Sequence, residues 1–309
     1  MELIYSAQVQ AYRQFFVPVK DNLRNCATLT WGGANTLFLK NGNSSLLIDP
    51  YFSRLAGVLS LPFFYRRFRS DTNSIGRGLQ LLGITKADAI LLTHTHIDHA
   101  LDVETILRTT RTPLLYTPPL LYHKLHGKSV PFTCRLLSDD LAFTAGSFAI
   151  RVTKGSHMPF PLPTAEAEHW LNRHQGRWGK LRFAWQWTAD AAYCFQITTA
   201  GRKLFVMGSA GLPDTSLQGK TADILILSVG GLDLLSRSYC EHLLEETVDI
   251  LHPEAVWLSH WDDFTRPLSE PVGWLKHAHR VVDYIIARNR ARGVPTYLLP
   301  PGKAVKVVA

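Results

Sequence analysis

Residues 89–102 read AILLTHTHIDHALD, and they constrain the chain more than any other stretch. Ile90, Leu91 and Leu92 form the apolar run of a buried strand, and His94, His96, Asp98 and His99 follow at its carboxyl end. Side chains two apart on an extended chain share a face, so His94 and His96 point the same way. The turn after them brings Asp98 and His99 to a second point nearby. Imidazoles gathered with a carboxylate are a donor set for a divalent cation.

The rest of the chain supplies strands and helices around this stretch. ATLTW at 27–31, TLFLK at 36–40 and SLLIDP at 45–50 read as strands, with Gly42 and Asn43 as a hairpin turn. A helix over 102–109, a strand at 114–116, a short helix near 120–124 and two or three strands over 132–153 follow. Phe148, Ile150 and Val152 alternate with Ala149, Arg151 and Thr153 as in a half-buried strand, which ends in KGSHMPF and His157. In the second half AAYCFQITTA (191–200), KLFVMG (203–208), DILILS (223–228) and AVWLS (255–259) read as strands, the last leading into His260. Helices are predicted over 240–251 and 271–292 and a final strand over 296–299; residues 1–26 read as a short helix and an irregular arm. Two β-rich halves with covering helices predict two sheets face to face, helices outside. No composition break marks a second domain, and 309 residues at 46% hydrophobic content provide ample core for one.

The motif H-x-H-x-D-H resembles the signature of the metallo-β-lactamase superfamily. The string LTWGGANTLFLKNGNSSLLIDPYFS resembles the opening hairpin of its lactonase and phospholipase-D-like branches, although Ala34 stands where many of those relatives carry a histidine. The resemblance implies an α/β fold, the four-layer αβ/βα sandwich, as a single domain over 1–309. It implies that His94, His96 and His157 hold one metal and Asp98, His99 and His260 a second, with zinc first and manganese or iron as alternatives. Asp49 matches an aspartate that ends the third strand beneath the metal site. Asp49 and Asp263 are the expected acceptors for the far ring nitrogens of the ligand histidines. One position departs from the pattern: most relatives bridge the two metals with an aspartate where VMGSAG places Ser209. Asp214 lies too far along the chain to replace it without a reshaped loop. The expectation is a dinuclear centre whose second ion rests on Asp98, His99 and His260, with a mononuclear centre as the alternative.

Such a centre implies a hydrolase that uses a metal-activated hydroxide, oriented by Asp98, on a phosphodiester, a phosphorylated small molecule or a lactone. No G-x-S-x-G is present, and Gly32-Gly33 and Gly230-Gly231 read as turns rather than phosphate loops. The contrasting expectation is a non-catalytic or mononuclear metal- or ligand-binding protein of the same fold, which Ser209 alone supports. Lid insertions are expected near 51–75 and 158–188. The first joins an apolar run to Arg66, Arg67 and Arg69; the second interleaves Trp170, Trp178, Trp185 and Trp187 with Arg173, Arg177, Lys180 and Arg182.

A net charge of +8 suggests anionic substrates, nucleic acid or an anionic membrane surface without choosing among them, and the partner expected is a small anionic or ester-type substrate. No specific nucleic acid partner is expected, peripheral membrane contact through 51–69 stays open, and oligomeric state is not readable. Cys26, Cys134, Cys194 and Cys240 lack C-x-x-C spacing and read as small apolar residues in a reducing compartment. No apolar stretch reaches the ~20 residues of a membrane span, and the N-terminus lacks a signal-peptide pattern. The expectation is a cytoplasmic enzyme, and the missing export signal argues against a β-lactamase proper.

Overall fold

In the computed structural model, which describes residues 3–20, 22–23, 26–56, 68–125, 129–159, 187–189 and 191–307, the chain opens with a short helix, α1 (Ala7–Gln10), and a single 3-10 turn at Arg13–Phe15. Strands β1 (Thr28–Trp31), β2 (Leu37–Asn41) and β3 (Ser44–Ile48) then form an antiparallel meander. Gly42 supplies the positive φ of 58° that a two-residue hairpin turn needs at its first position. From β3 the connections become crossovers, and β4 (Ala89–Leu91), β5 (Leu114–Thr117) and β6 (Thr133–Leu136) add in parallel. The intervening helices are α2 (Thr72–Leu82), α3 (Ile97–Ala100), α4 (Val103–Thr110) and α5 (Pro119–Leu125).

The second half repeats the plan. Strands β7 (Ala142–Ala145), β8 (Phe148–Gly155), β9 (Ala192–Thr199) and β10 (Arg202–Met207) run antiparallel. Strands β11 (Ile224–Ser228), β12 (Ala255–Ser259) and β13 (Thr296–Leu298) continue in parallel through α6 (Arg237–Leu251) and α7 (Ala278–Ala291). The final strand, β14 (Ala304–Lys306), returns to pair with β1, giving two seven-stranded sheets among the described residues.

Strand alternation sorts the apolar residues into two cores. Leu46 and Ile48 of β3 and Ala89 and Leu91 of β4 enter the larger core, shared with the second sheet, while Leu47 and Ile90 enter the smaller one under α2 and α4. Both faces of these strands are covered, so they read as unbroken apolar runs. The architecture is the expected α/β sandwich.

The structure departs from the sequence reading at several elements. The helix predicted over 271–292 begins only at Ala278. Val272 and Trp274 are drawn into extended bridges instead, the Val272 amide donating to Ile4 O and Trp274 pairing with Asp262, and 275–277 then turn into the helix. Pro271 and Gly273 are poor helix formers and offer that pairing little competition. Helix α6 starts at Arg237, three residues early, because the Ser236 hydroxyl accepts from the Tyr239 amide and caps it. Helix α2 and β14 were not predicted. Of the stretch near 51–75, Tyr51 to Arg54 are buried and 72–75 open α2, while 57–67, with Arg66 and Arg67, lie outside the described residues. Of 158–188, residues 160–186, with Trp170, Arg173, Arg177, Trp178, Lys180, Arg182 and Trp185, lie outside them as well. Among the described residues no helix is long and apolar enough to cross a membrane.

Candidate metal centre

Five strands that run the same way within their sheets deliver the site. Asp49 follows β3, His94 follows β4, His157 follows β8, Ser209 follows β10 and His260 follows β12. Beyond β4 the Leu92 amide still donates to Tyr116 O, but the Thr93 amide turns to the Asp49 carboxylate and the chain leaves the sheet. His96 caps the single turn of α3, accepting the His99 and Ala100 amides at its carbonyl. That turn brings Asp98 and His99 to a second point beside the His94–His96 pair.

The result is two adjacent trios. His94, His96 and His157 offer ligand atoms within 4.8 Å of one another, and so do Asp98, His99 and His260. The His94 and His99 rings lie 3.9 Å apart between centroids, so the trios touch. His260 Nε2 sits 3.2 Å from Asp98 Oδ2, close to the edge of a tetrahedron with zinc–ligand bonds of about 2.0–2.1 Å. His94 is fully buried and its Nε2 has no hydrogen-bond partner. A buried unpaired nitrogen costs about 1–3 kcal/mol, and a cation at the trio removes that cost. The donor set therefore fits divalent ions.

The outer nitrogens are held by a buried polar network. Asp49 Oδ2 accepts from His99 Nδ1 at 2.8 Å, from Asn35 Nδ2 at 2.8 Å and from the Thr93 hydroxyl at 2.5 Å, and Oδ1 accepts the Thr93 amide at 2.7 Å. Asn35 Oδ1 in turn accepts the hydroxyl of Ser259, the residue before His260. His157 Nδ1 donates to Met158 O at 2.8 Å. Asp263 does not join this network: its carboxylate accepts from the Thr265 amide and hydroxyl. The left-handed His260 (φ 58°) turns the chain so that Asp262 is the buried carboxylate here, accepting the Ala34 amide and the Arg54 guanidinium.

Ser209 lies against the first trio, its hydroxyl accepting the Met158 amide at 3.1 Å. Asp214 is turned outward to Lys154. The glycines around Ser209 have steric reasons. A Cβ on Gly208 would overlap the Thr93 side chain, and one on Gly211 the Ser156 carbonyl. Likewise a Cβ on Gly230 would lie 2.7 Å from His260 Nδ1, so the Gly230-Gly231 turn gives that ring its space. Ala34, Asp49, Arg54 and His260 all take left-handed φ values between 44° and 58°, a cluster of non-glycine strain at one end of the sandwich.

Burial holds the His94 and His157 imidazoles well below their ordinary pKa, and neighbouring histidines add to the effect, so both stay neutral as ligands must. Burial alone would raise the Asp98 carboxyl, but the attraction of His99 and His260 outweighs it and holds it below the usual carboxylate range. Sequence reasoning missed Thr93, Asn35, Ser259, Arg54 and Asp262.

Comparison with known proteins agrees with this geometry. Residues 29–177 match the family model of the metallo-beta-lactamase superfamily. A UPF0173 metal-dependent hydrolase of Christiangramia forsetii is 38% identical over 82 residues, 26% of this chain and 28% of that protein's length, so the chain matches well under a third of that relative. Among solved structures, the metallo hydrolase Igni18 of Ignicoccus hospitalis superposes with a TM-score of 0.54 at 16% identity, over 92% of this chain and 99% of its own. An isothiocyanate hydrolase from Delia radicum gut bacteria gives a TM-score of 0.54 at 18% identity, over 91% of this chain and all of its own. At these identities the structures speak to the fold alone.

Proposed function

We propose that the chain, whose residues 29–177 match the metallo-β-lactamase superfamily model, is a metal-dependent hydrolase of that superfamily acting on a small anionic or ester-type substrate: a phosphodiester, a phosphorylated small molecule or a lactone. The observation that carries this reading is the pair of touching ligand trios at the strand ends. His94, His96 and His157 would hold one ion and Asp98, His99 and His260 the other. Zinc suits these donors best, with manganese or iron as alternatives. Bound there, divalent ions supply Lewis acidity and bring a water's pKa down to about 7.

The chain's own residues do the rest. Asp98 has two carboxylate oxygens, one for a ligand bond and one free to accept a proton-bearing oxygen and orient it toward substrate. Asp49 and the Met158 carbonyl fix ring orientations, so imidazole lone pairs face inward. Ser209 presents a neutral hydroxyl already engaged by the Met158 amide, so the reading has no bridging carboxylate and the second ion rests on Asp98, His99 and His260. The relative named as a metal-dependent hydrolase supports hydrolysis as the reaction type. Free cysteines suit a reducing compartment, and the proposal places the enzyme in the cytoplasm.

Ser209 favours one second reading, a mononuclear or non-catalytic metal-binding protein. Metal content by plasma mass spectrometry, on protein purified without chelator, separates the two when paired with phosphodiester and lactone turnover assays. Close to two equivalents, with turnover abolished by chelation and by His96→Ala, supports the hydrolase. One equivalent or fewer without turnover supports the second reading, and full turnover by His96→Ala would sink the ligand assignment.

A further inference from the structure

We infer that Thr93 relays the Asp49 carboxylate to His94 and thereby fixes which nitrogen of that ring carries the proton. One carboxylate then orients a ligand histidine in each trio: His99 directly and His94 through Thr93. The metal-binding consequence rests on the reading of the trios as metal sites.

The Thr93 hydroxyl lies 2.5 Å from Asp49 Oδ2 and 3.1 Å from His94 Nδ1, in a fully buried setting. A hydroxyl has one proton to give, and a carboxylate oxygen can only accept. The proton therefore goes to Asp49, and the oxygen presents a lone pair to His94. Nδ1 must then be the N–H of the ring, which leaves the lone pair on Nε2, the buried nitrogen without a hydrogen-bond partner. In the other tautomer an N–H would point into the trio and block a cation there.

The rest of the structure holds Thr93 in place for this task. Its amide donates to Asp49 Oδ1, and its carbonyl accepts the Tyr193 amide from the facing sheet. Gly208 has no side chain where a Cβ would strike the Thr93 hydroxyl and methyl. Thr93 is thus a positioning residue, acting on the site through His94.

The test compares wild type, Thr93→Val and Thr93→Ser in zinc titrations by calorimetry, together with ¹⁵N ring shifts of His94 in metal-free protein. Valine keeps the shape and removes the relay; serine restores it. In Thr93→Val, affinity for one zinc should fall about 10–100-fold while the other stays within about twofold of wild type. The His94 ring should move from the Nδ1–H tautomer to a mixture, and Thr93→Ser should recover both readouts. Unchanged binding with Nδ1–H retained in Thr93→Val overturns the relay, as does equal weakening of both ions, which is what a merely structural role predicts. If wild type takes up no zinc while the tautomer still depends on the hydroxyl, the metal reading fails and the relay stands.

Discussion

Replacing Asp49 by asparagine probes the network at its centre. Asp49 has a φ of 44°, a left-handed conformation that asparagine tolerates well, so the backbone need not move. Asparagine is best placed with its oxygen where His99, Asn35 and the Thr93 hydroxyl converge, which turns its NH₂ toward the Thr93 amide. One hydrogen bond is lost and two donors face each other, a cost of about 1–3 kcal/mol. At roughly 2 °C per kcal/mol for a chain of this size, Tm should drop by about 2–6 °C. The bonds to His99 and Thr93 also lose their ionic character and about half their strength. A loss of about 1.4 kcal/mol at each ring corresponds to a tenfold weaker ion. Zinc titration and thermal denaturation, with and without metal, read both effects. If Tm falls as expected while both zinc affinities stay within about threefold of wild type, Asp49 supports the fold only, and the account of it as shared anchor is wrong.

Ser209→Asp adds a carboxylate beside the Met158 amide and the first trio, and should preserve or tighten the second ion in calorimetry; loss of both ions would contradict this expectation. Gly230→Ala puts a Cβ 2.7 Å from His260 Nδ1, so the ring must rotate and zinc content should fall by about one equivalent, at a stability cost of about 1–3 kcal/mol. Retention of all bound zinc would show that the turn yields instead. Between α6 and α7, the Arg288 and Arg292 guanidinium groups hold the Glu241 carboxyl at about 2. A depressed carboxyl stabilises the fold above its ordinary value and ceases to do so as pH falls through its folded value. Glu241→Gln should therefore lower Tm near neutral pH and match wild type near pH 2, and a Tm difference independent of pH would exclude the ionic contribution.

How much of the fold could be read from the chain depended on whether the signal was local. β3, β4 and β11 announced themselves because their centres are buried and carry unbroken apolar runs at 46–48, 89–91 and 224–227, which leaves length and turn residues to mark the ends. The segment 271–277 failed for the opposite reason. Its structure is set by contacts with Ile4 and Asp262, far away in sequence, and nothing within the segment signals extended pairing. β14 escaped for the same cause, since a three-residue strand is defined by its partner β1 rather than by its own pattern.

The candidate site divides along a similar line. His94, His96, Asp98 and His99 are legible because chemistry and spacing coincide within one turn of chain, while His157 and His260 needed the family pattern to stand out. The supporting residues were harder still. The sequence pointed to Asp263 as an acceptor, but past the left-handed His260 it is Asp262 that turns inward, and Asp263 turns toward Thr265. Thr93 looked like an ordinary strand residue, because its role requires Asp49 to end a neighbouring parallel strand in register, Leu47 opposite Ile90. That register puts a carboxylate beneath the motif, and the hydroxyl then has one direction in which to give its proton. The histidine motif supplies ligands, but which nitrogen His94 and His99 offer is decided by the aspartate that ends a strand more than forty residues earlier in the chain.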